Sequence, residues 1–340
     1  MKNKFWANKN VFITGINGFV GGNLANILIR NGANVYGLMR NDNQKTFLFY
    51  MNFNKKVIIV NGEITNKELL RSFFIENNID ICFHLAAQVE VGIAAEYPFL
   101  TWETNIRGTY TLLEAIRESS VDMSAIVIAS SDKAYGEYPI EKMPYREDYP
   151  LKPIYPYGTS KACADLIAQT YSTELFKMPI IITRFTNIYG PGQLNFSALI
   201  PDAIRCALGY DNFLPRSNGN SIRDFLFVED VSELYCDIAK ALSNNSKTLK
   251  GQVFNAGTNN GKTVKYIIEK IYNKLNNKKG LENILYLFKN NIEVIGEITS
   301  QVMTYEKVEK YFGWKPKTTF DEGLDLTIDW YRKYLKSIKS

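Results

Sequence analysis

Lys9-Asn-Val-Phe-Ile-Thr14, running straight into Gly15-Ile-Asn-Gly18-Phe-Val-Gly21, is the stretch that decides the fold. Its first part reads as a buried strand, a short apolar run stopped by glycine. Beyond the glycines, Asn23 to Asn31 carries helical apolar periodicity and ends at Gly32. Strand, glycine turn and helix in that order leave bare amides and a helix N-terminus at a strand end, an arrangement that holds a pyrophosphate. The spacing departs from the commoner Gly-x-Gly-x-x-Gly, and three plain turn glycines are the alternative. The strand-helix alternation downstream of Gly32 favours the dinucleotide reading. Gly15, Gly18 and Gly21, with Asn17, Phe19 and Val20 between them, are therefore candidate cofactor contacts.

Working outward, strands are expected at Asn34 to Met39, Val57 to Val60, Ile79 to Leu85, Ala125 to Ala129 and Ile180 to Arg184. Helices are expected near Asn66 to Asn77, Thr101 to Arg117 and Tyr157 to Phe176. Strand and helix alternating at this spacing predict an α/β fold, a doubly wound parallel (Rossmann) sheet with right-handed crossovers. After Tyr189 the alternation stops at Pro191, Gly192 and Pro201. Helices at Val228 to Leu242, Val264 to Asn276 and Phe320 to Leu335, and a short strand at Gln252 to Asn255, then form a smaller mixed α/β C-terminal lobe. The expected division is 1–186 as the dinucleotide domain, with segments near 222–258 returning to it, and 187–340 mainly as the substrate lobe. A ligand cleft between the two is expected.

Composition excludes several classes. The chain has 340 residues, enough for a sizeable core, and its net charge of +5 is spread along the sequence rather than gathered into a basic patch. No nucleic-acid partner is expected. Neither is a membrane, since no apolar run approaches the ~18 residues a span needs, and the first ten residues hold no signal core. The four cysteines form no Cys-x-x-Cys pair, which fits reduced thiols in a cytoplasmic protein. His84 is the only histidine, so neither a metal nor a Ser-His-Asp triad is expected.

The end of the second strand chooses between dinucleotides. It reads Leu38-Met39-Arg40-Asn41, with no carboxylate until Asp42. A carboxylate there would grip a ribose 2′-hydroxyl, whereas the Arg40 guanidinium matches a 2′-phosphate. Arg40 tips the reading toward NADP, with NAD open. Glu63 and Ile64 follow the third strand where a side chain meets the adenine. Leu85, Ala86 and Ala87 end the fourth with small residues that let a cofactor lie close. Gln88 is placed to face the cleft and Asn105 to brace the sheet.

Ser131-Asp132-Lys133 and Tyr157-Gly-Thr-Ser-Lys161 carry the chemistry. Residues four apart share one helix face, so Lys161 sits where its cation can lower the Tyr157 pKa from ~10. Such a tyrosine takes a hydroxyl proton while hydride leaves the same carbon. The preceding triplet adds a hydroxyl, an acid and an amine at a strand end, pointing to oxidation coupled to a second proton transfer. The plainer alternatives are a turn-forming Asp132 and a structural Asp132–Lys133 ion pair.

These motifs, with His84-Leu-Ala-Ala87, Arg184-x-x-Asn187-x-Tyr-Gly-Pro191 and Arg223-Asp-Phe, resemble the extended short-chain dehydrogenases/reductases acting on nucleotide sugars. The resemblance runs from Lys9 to Gly313-Trp-Lys-Pro316. Within that family the Asp132-Lys133 pair, and the lead Phe5-Trp6-x-x-Lys9, are similar to the CDP-glucose 4,6-dehydratases; Val91 to Pro98 and the loop after Met39 depart from them. The resemblance implies a tightly bound nicotinamide dinucleotide and a nucleotide-diphosphate sugar. It also implies roles: Tyr157 as base at the 4-hydroxyl, Lys161 beside it, Ser131 sharing the 4-oxygen, Asp132 as acid at C6 and Lys133 as base at C5. Arg223 and Arg205 become candidates for the diphosphate, Asn187 for the sugar or phosphate, and Asn195 for the nucleotide pocket. It further implies a homodimer through a four-helix bundle built from Thr101 to Arg117 and Tyr157 to Phe176, although those apolar stripes also suit a core. An epimerase or 4-dehydrogenase would use Tyr157 and Lys161 alone. A non-catalytic dinucleotide-binding protein would need neither.

Overall fold

The computed structural model of the chain describes residues 4–40, 44–290 and 298–338. Asp42, the first carboxylate after the second strand, lies outside the described residues. The strands are β1 (Asn10–Thr14), β2 (Asn34–Met39), β3 (Val57–Asn61), β4 (Ile81–His84), β5 (Ala125–Ala129), β6 (Ile180–Phe185), β7 (Asn187–Tyr189), β8 (Ile222–Arg223), β9 (Phe225–Phe227), β10 (Val253–Ala256), β11 (Lys262–Thr263) and β12 (Ser300–Gln301). Seven of them form one all-parallel sheet in the order β10-β6-β5-β4-β1-β2-β3. The longer helices are α1 (Phe19–Arg30), α2 (Lys67–Asn77), α3 (Gly108–Ser119), α4 (Pro156–Tyr171), α5 (Leu199–Ala207), α6 (Val228–Asn244), α7 (Val264–Lys274), α8 (Lys278–Asn290) and α9 (Phe320–Ser337).

Central strands are largely apolar because both faces are covered, with polar residues such as Thr14, His84 and Arg184 toward their ends. Alternation along each strand sends successive residues to opposite layers. Val11, Ile13 and Val127 meet Leu24 and Leu28 of α1 and Leu234 and Ile238 of α6. Phe12, Cys82, Ile126 and Ile128 face Leu70 of α2, Leu112 of α3 and Ala168 of α4. The chain leaves the sheet at Phe185 and returns with β10, where Val253 pairs with Ile182. β8 does not return. It lies in a separate three-stranded sheet, β11-β8-β12, and β7 pairs with β9. A third core joins α5, α7, α8 and α9 around Ile204, Ile268, Phe288 and Tyr331.

Three helices depart from the sequence expectation. α1 begins at Phe19, four residues before Asn23, because Gly21 and Gly22 are helical. A Cβ at Gly21 would collide with the Gly15 carbonyl, so this position has to be small for the helix start to pack on its own loop. The helix expected at Thr101 to Arg117 is composite: Pro98–Trp102, a π-turn at Glu103–Arg107, then α3. The widened turn carries Asn105, whose side chain is drawn toward the sheet. α4 stops at Tyr171 rather than Phe176, where the Ser172 hydroxyl donates to the Gln169 carbonyl and the chain turns through Lys177 at φ 57°.

Candidate functional site

The parallel register brings Thr14 of β1 opposite both Leu38 and His84, so the strand ends of the sheet's middle open at one edge. Gly15 leaves that edge with φ +72°, and a Cβ there would stand 2.8 Å from the Ala86 nitrogen. Only glycine fits such a left-handed close approach. Gly18 is the N-cap of α1 and supplies no side-chain cap, which leaves the first-turn amides for an anion. This cradle fits a pyrophosphate. Asn17, Phe19 and Val20 stand in the same turn, and Arg40 is exposed beyond β2. Glu63 follows β3. Ile64 is buried, its side chain packed against Gly108.

A chain of side chains holds the exit of β4. The Thr109 hydroxyl donates to the Asn105 carbonyl at 2.6 Å and therefore accepts from His84 Nε2 at 2.9 Å. That leaves His84 Nδ1 as acceptor for the Thr14 hydroxyl at 2.8 Å, and Thr14 Oγ1 in turn accepts the Leu85 and Ala86 amides. Burial, helped by the Lys161 cation, drives the His84 pKa down to about 3, so the ring is neutral. Leu85, Ala86, Ala87 and Gln88 follow, half-buried. The Gln88 amide donates to Asn105 Oδ1 at 2.7 Å, while Asn105 Nδ2 donates to the Gln88 carbonyl and to Ser160 Oγ. Asn105 thus ties the end of β4 to α4. Thr14, Thr109 and Ser160 had no signal in the sequence, since each is an ordinary hydroxyl inside an apolar or helical pattern.

Beyond β5 the chain makes a 3₁₀ turn, Asp132–Tyr135, capped by Ser131, whose hydroxyl oxygen accepts the Lys133 amide at 3.2 Å. The same hydroxyl donates to Asp132 Oδ1 at 2.9 Å. Lys133 Nζ lies 3.3 Å from Asp132 Oδ1 and 3.3 Å from Asn187 Oδ1. Asn187 Nδ2 donates to the Asp224 carbonyl, which can only accept, and this fixes the amide with its oxygen toward Lys133. Asp132 is 2% exposed and its Oδ2, also buried, has no partner.

Tyr157 and Lys161 are both buried on the inner face of α4. The expectation that Lys161 holds the tyrosine low is not met. Desolvation and the Asp132 carboxylate push the Tyr157 pKa up, and the Ser131 hydroxyl pulls it only partly back. Lys161 Nζ is occupied by the Ala129 carbonyl at 2.5 Å, and burial lowers its own pKa to about 8. The tyrosine is desolvated beside a carboxylate and needs added positive charge before it can act as a base.

Four further candidates divide. Asn187 turns its amide oxygen to Lys133. Arg223 on β8 donates to the Ile222 carbonyl. Burial raises the Tyr145 hydroxyl pKa, the Asp132 carboxylate adds to the rise and the Arg223 cation opposes it, so Arg223 and Asp132 act on one ring. Arg205 is turned elsewhere: Nη2 meets Asp202 and Asp211, both at 2.9 Å, and the guanidinium covers Phe196. Asn195 Oδ1 is taken by the Ser197 amide and hydroxyl within its own turn. Among the described residues no group of three or more His, Cys, Asp or Glu is placed to hold a metal ion. No helix there is long and apolar enough to cross a membrane.

Known proteins share this architecture. A family model described as GDP-mannose 4,6 dehydratase matches residues 12–327. The dTDP-D-glucose 4,6-dehydratase of Homo sapiens is 28% identical over 352 aligned positions, covering 98% of this chain and 92% of the human one. The CDP-glucose 4,6-dehydratase of Salmonella typhimurium is 28% identical, covering 98% and 93%. Among solved structures, the dTDP-glucose 4,6-dehydratase of Bacillus anthracis, determined in complex with NAD, superposes with a TM-score of 0.80 at 29% identity, covering 96% of this chain and 98% of that one.

Proposed function

The chain belongs to the family that the GDP-mannose 4,6 dehydratase model describes, and from that premise we propose that it is an NAD(P)-dependent nucleotide-sugar 4,6-dehydratase acting on a CDP-glucose-like substrate. It converts the hexose to its 4-keto-6-deoxy derivative for surface-polysaccharide or glycan assembly. The observation that carries this reading is Asp132: a buried carboxyl with one unpartnered oxygen, bonded through its other oxygen to both Ser131 and Lys133.

A bound nicotinamide dinucleotide supplies the hydride acceptor for C4 and the hydride donor for C6. The Gly15–Gly21 cradle, packed at Gly15 against Ala86, and the open N-terminus of α1 would hold its pyrophosphate. Arg40, exposed past the end of β2, would meet a 2′-phosphate and makes NADP our preferred form. The remaining steps belong to the chain's own residues. Tyr157, as the phenolate that the positive charge of an oxidised nicotinamide would favour, takes the 4-hydroxyl proton, with Ser131 hydrogen-bonding the same oxygen. The 4-ketone acidifies C5, and Lys133, hydrogen-bonded to Asn187, removes that proton. Asp132 Oδ2 presents a proton to the departing C6 hydroxyl, which leaves as water. Lys133 returns its proton to C5, and the proton on Tyr157 passes through Ser131 to restore Asp132. The net change is loss of one water.

An epimerase or 4-dehydrogenase needs the Tyr157 and Lys161 pair and gives Asp132 and Lys133 no chemical role. It would leave Asp132 Oδ2 buried at a cost of about 1–3 kcal/mol with no chemical return. The reading further includes a homodimer through α3 and α4 and a cytoplasmic setting, which suits four free cysteines. Mass spectrometry of CDP-, UDP-, GDP- and dTDP-hexoses mixed with the purified protein, with no reductant added, tests it. Loss of one water from a CDP-hexose is expected. Unchanged mass with altered mobility would make it an epimerase, and loss of two hydrogens with a reduced cofactor would make it a 4-dehydrogenase.

A further inference from the structure

The three-stranded sheet contains a row of side chains that the dehydration steps leave largely unused. Lys262 of β11 pairs directly with Arg223 of β8, and Arg223 with Gln301 of β12. Directly paired residues point to the same face of a sheet, so two cations and a carboxamide stand side by side. Gln301 is 2% exposed, and its Nε2 has no hydrogen-bond partner. Leaving a buried amide donor unsatisfied costs about 1–3 kcal/mol, and a folded chain ordinarily finds it an acceptor.

The acceptors around the row are already committed. The Gln301 carbonyl takes the Asp224 amide at 3.0 Å. The Asp224 carboxylate is occupied by the Thr258 amide and hydroxyl and by the Met303 amide. Glu137 accepts from Thr299, the residue before β12. Lys262 Nζ donates to Asn260 and lies 5.5 Å and 5.7 Å from the ring centres of Tyr266 and Phe320. Gln301 therefore offers an NH₂ group, in a row that also holds two cationic side chains, to something the chain does not itself provide. Its direction is set by Tyr145, a buried residue whose backbone bridges to Met303 and whose amide donates to the Val302 carbonyl at 2.9 Å, so that it joins the end of β12 to the Ser131-Asp132-Lys133 turn. Tyr145 Oη also donates to the Gly136 carbonyl, just past that turn.

We propose that Gln301 is a substrate-binding residue whose Nε2 donates to a non-bridging oxygen of the substrate's diphosphate, next to Arg223. Strands in a ladder lie about 4.8 Å apart. That spacing lets neighbouring arginine and glutamine side chains each take one of two adjacent phosphoryl groups, while a single carboxylate would satisfy only one of them. The inference rests on the nucleotide-sugar reading and adds a contact to it.

The test is calorimetric titration of the full chain with CDP, UDP, GDP and dTDP, and with the four corresponding nucleosides. Wild type, Gln301→Leu, Gln301→Glu and Gln301→Lys are compared, each checked for an unchanged thermal unfolding profile. For the nucleoside diphosphate that binds best, Gln301→Leu should weaken binding about 10-fold, the worth of a charge-assisted hydrogen bond. Gln301→Glu should weaken it more, and Gln301→Lys should bind at least as tightly as wild type. Nucleoside affinity should be the same in all four. A purely structural glutamine would not give an order that follows side-chain charge. Equal diphosphate affinity across the series, or equal losses for nucleoside and diphosphate, overturns the inference and leaves the dehydratase reading standing. A wild-type chain that binds no nucleoside diphosphate overturns both.

Discussion

Asp132 and Lys133 are neighbours in sequence and an ion pair in space, and that pairing frames their chemistry. Lys133 Nζ is shared between Asp132 Oδ1 and Asn187 Oδ1, so it would have to turn away from both to reach a substrate proton. The structural ion pair and the proposed C5 base would thus be two states of one arrangement. They separate on substitution. Lys133→Ala should still oxidise C4, seen as cofactor absorbance in a single turnover, while water loss falls by 10²-fold or more, the usual worth of a positioned base of about 10²–10⁴. Dehydration at the wild-type rate would leave Lys133 a structural partner of Asp132. At this scale the sequence was legible where chemistry follows local spacing: Tyr157 and Lys161 share one helix face, as four-residue spacing demands. It was not legible where the partner is a backbone atom or distant. Nothing in the spacing foretells that the Ala129 carbonyl takes Lys161, or that Asn187, a remote residue on β7, would turn its amide oxygen to Lys133. Arg205 misled for a related reason: a lone arginine in a helix does not announce the two aspartates that hold it.

The element that decides whether the cofactor edge keeps its shape is the end of β4, where Thr14, His84 and Thr109 join β1, β4 and α3. A neutral His84 is required there, because Nδ1 must accept from Thr14 while Nε2 donates to Thr109. Its folded pKa, about 3, lies below the ordinary 6.5. The unfolded chain therefore takes up a proton below about pH 6.5 that the native chain refuses. Stability from this group is complete above 6.5 and is lost as pH falls toward 3, at about 1.4 kcal/mol per pH unit. Roughly 2 kcal/mol should be gone by about pH 5. Urea midpoints at about pH 7.5 and pH 5 for wild type and His84→Gln measure it, since other titrating groups are common to both. The variant is expected to show the smaller drop, and equal drops would remove His84 as the source. The strands of the large sheet were legible to within two residues because apolar runs between turn residues are strong signals. Helix ends were not. The start of α1 depended on tertiary packing of Gly21, and the π-turn at Asn105 on a contact with Gln88 across the sheet edge.

At the scale of the whole molecule the two halves differ in legibility for a physical reason. Long β-α alternation announces the parallel sheet, but β8, β11 and β12 are two residues each, too short to show any period, and they carry Arg223 and Gln301. The outer surface carries a further consequence. Tyr157 and Lys161 occupy the inner face of α4, while Thr159, Cys163, Leu166 and Thr170 form its outer stripe at helical spacing. Leu166 is 55% exposed, Trp102 and Tyr110 on the neighbouring composite helix are 43% and 41% exposed, and Phe99 is at 73%. An apolar face of this kind on two adjacent helices is costly to leave in water. A second copy supplying the same two helices would cover it as a four-helix bundle, with self-complementary contacts about a two-fold axis. A stable interface of that type removes about 800 Å² from each partner. Light scattering at micromolar concentration should therefore report a dimer. Tyr110→Glu/Leu166→Glu, which sets four like charges against one another across the axis, should report a monomer whose far-UV spectrum is unchanged. A wild-type monomer at that concentration would mean the stripe serves another partner. A dimer that survives both glutamates would mean the two-fold axis lies on a different face, leaving the back of the catalytic helix open to solvent.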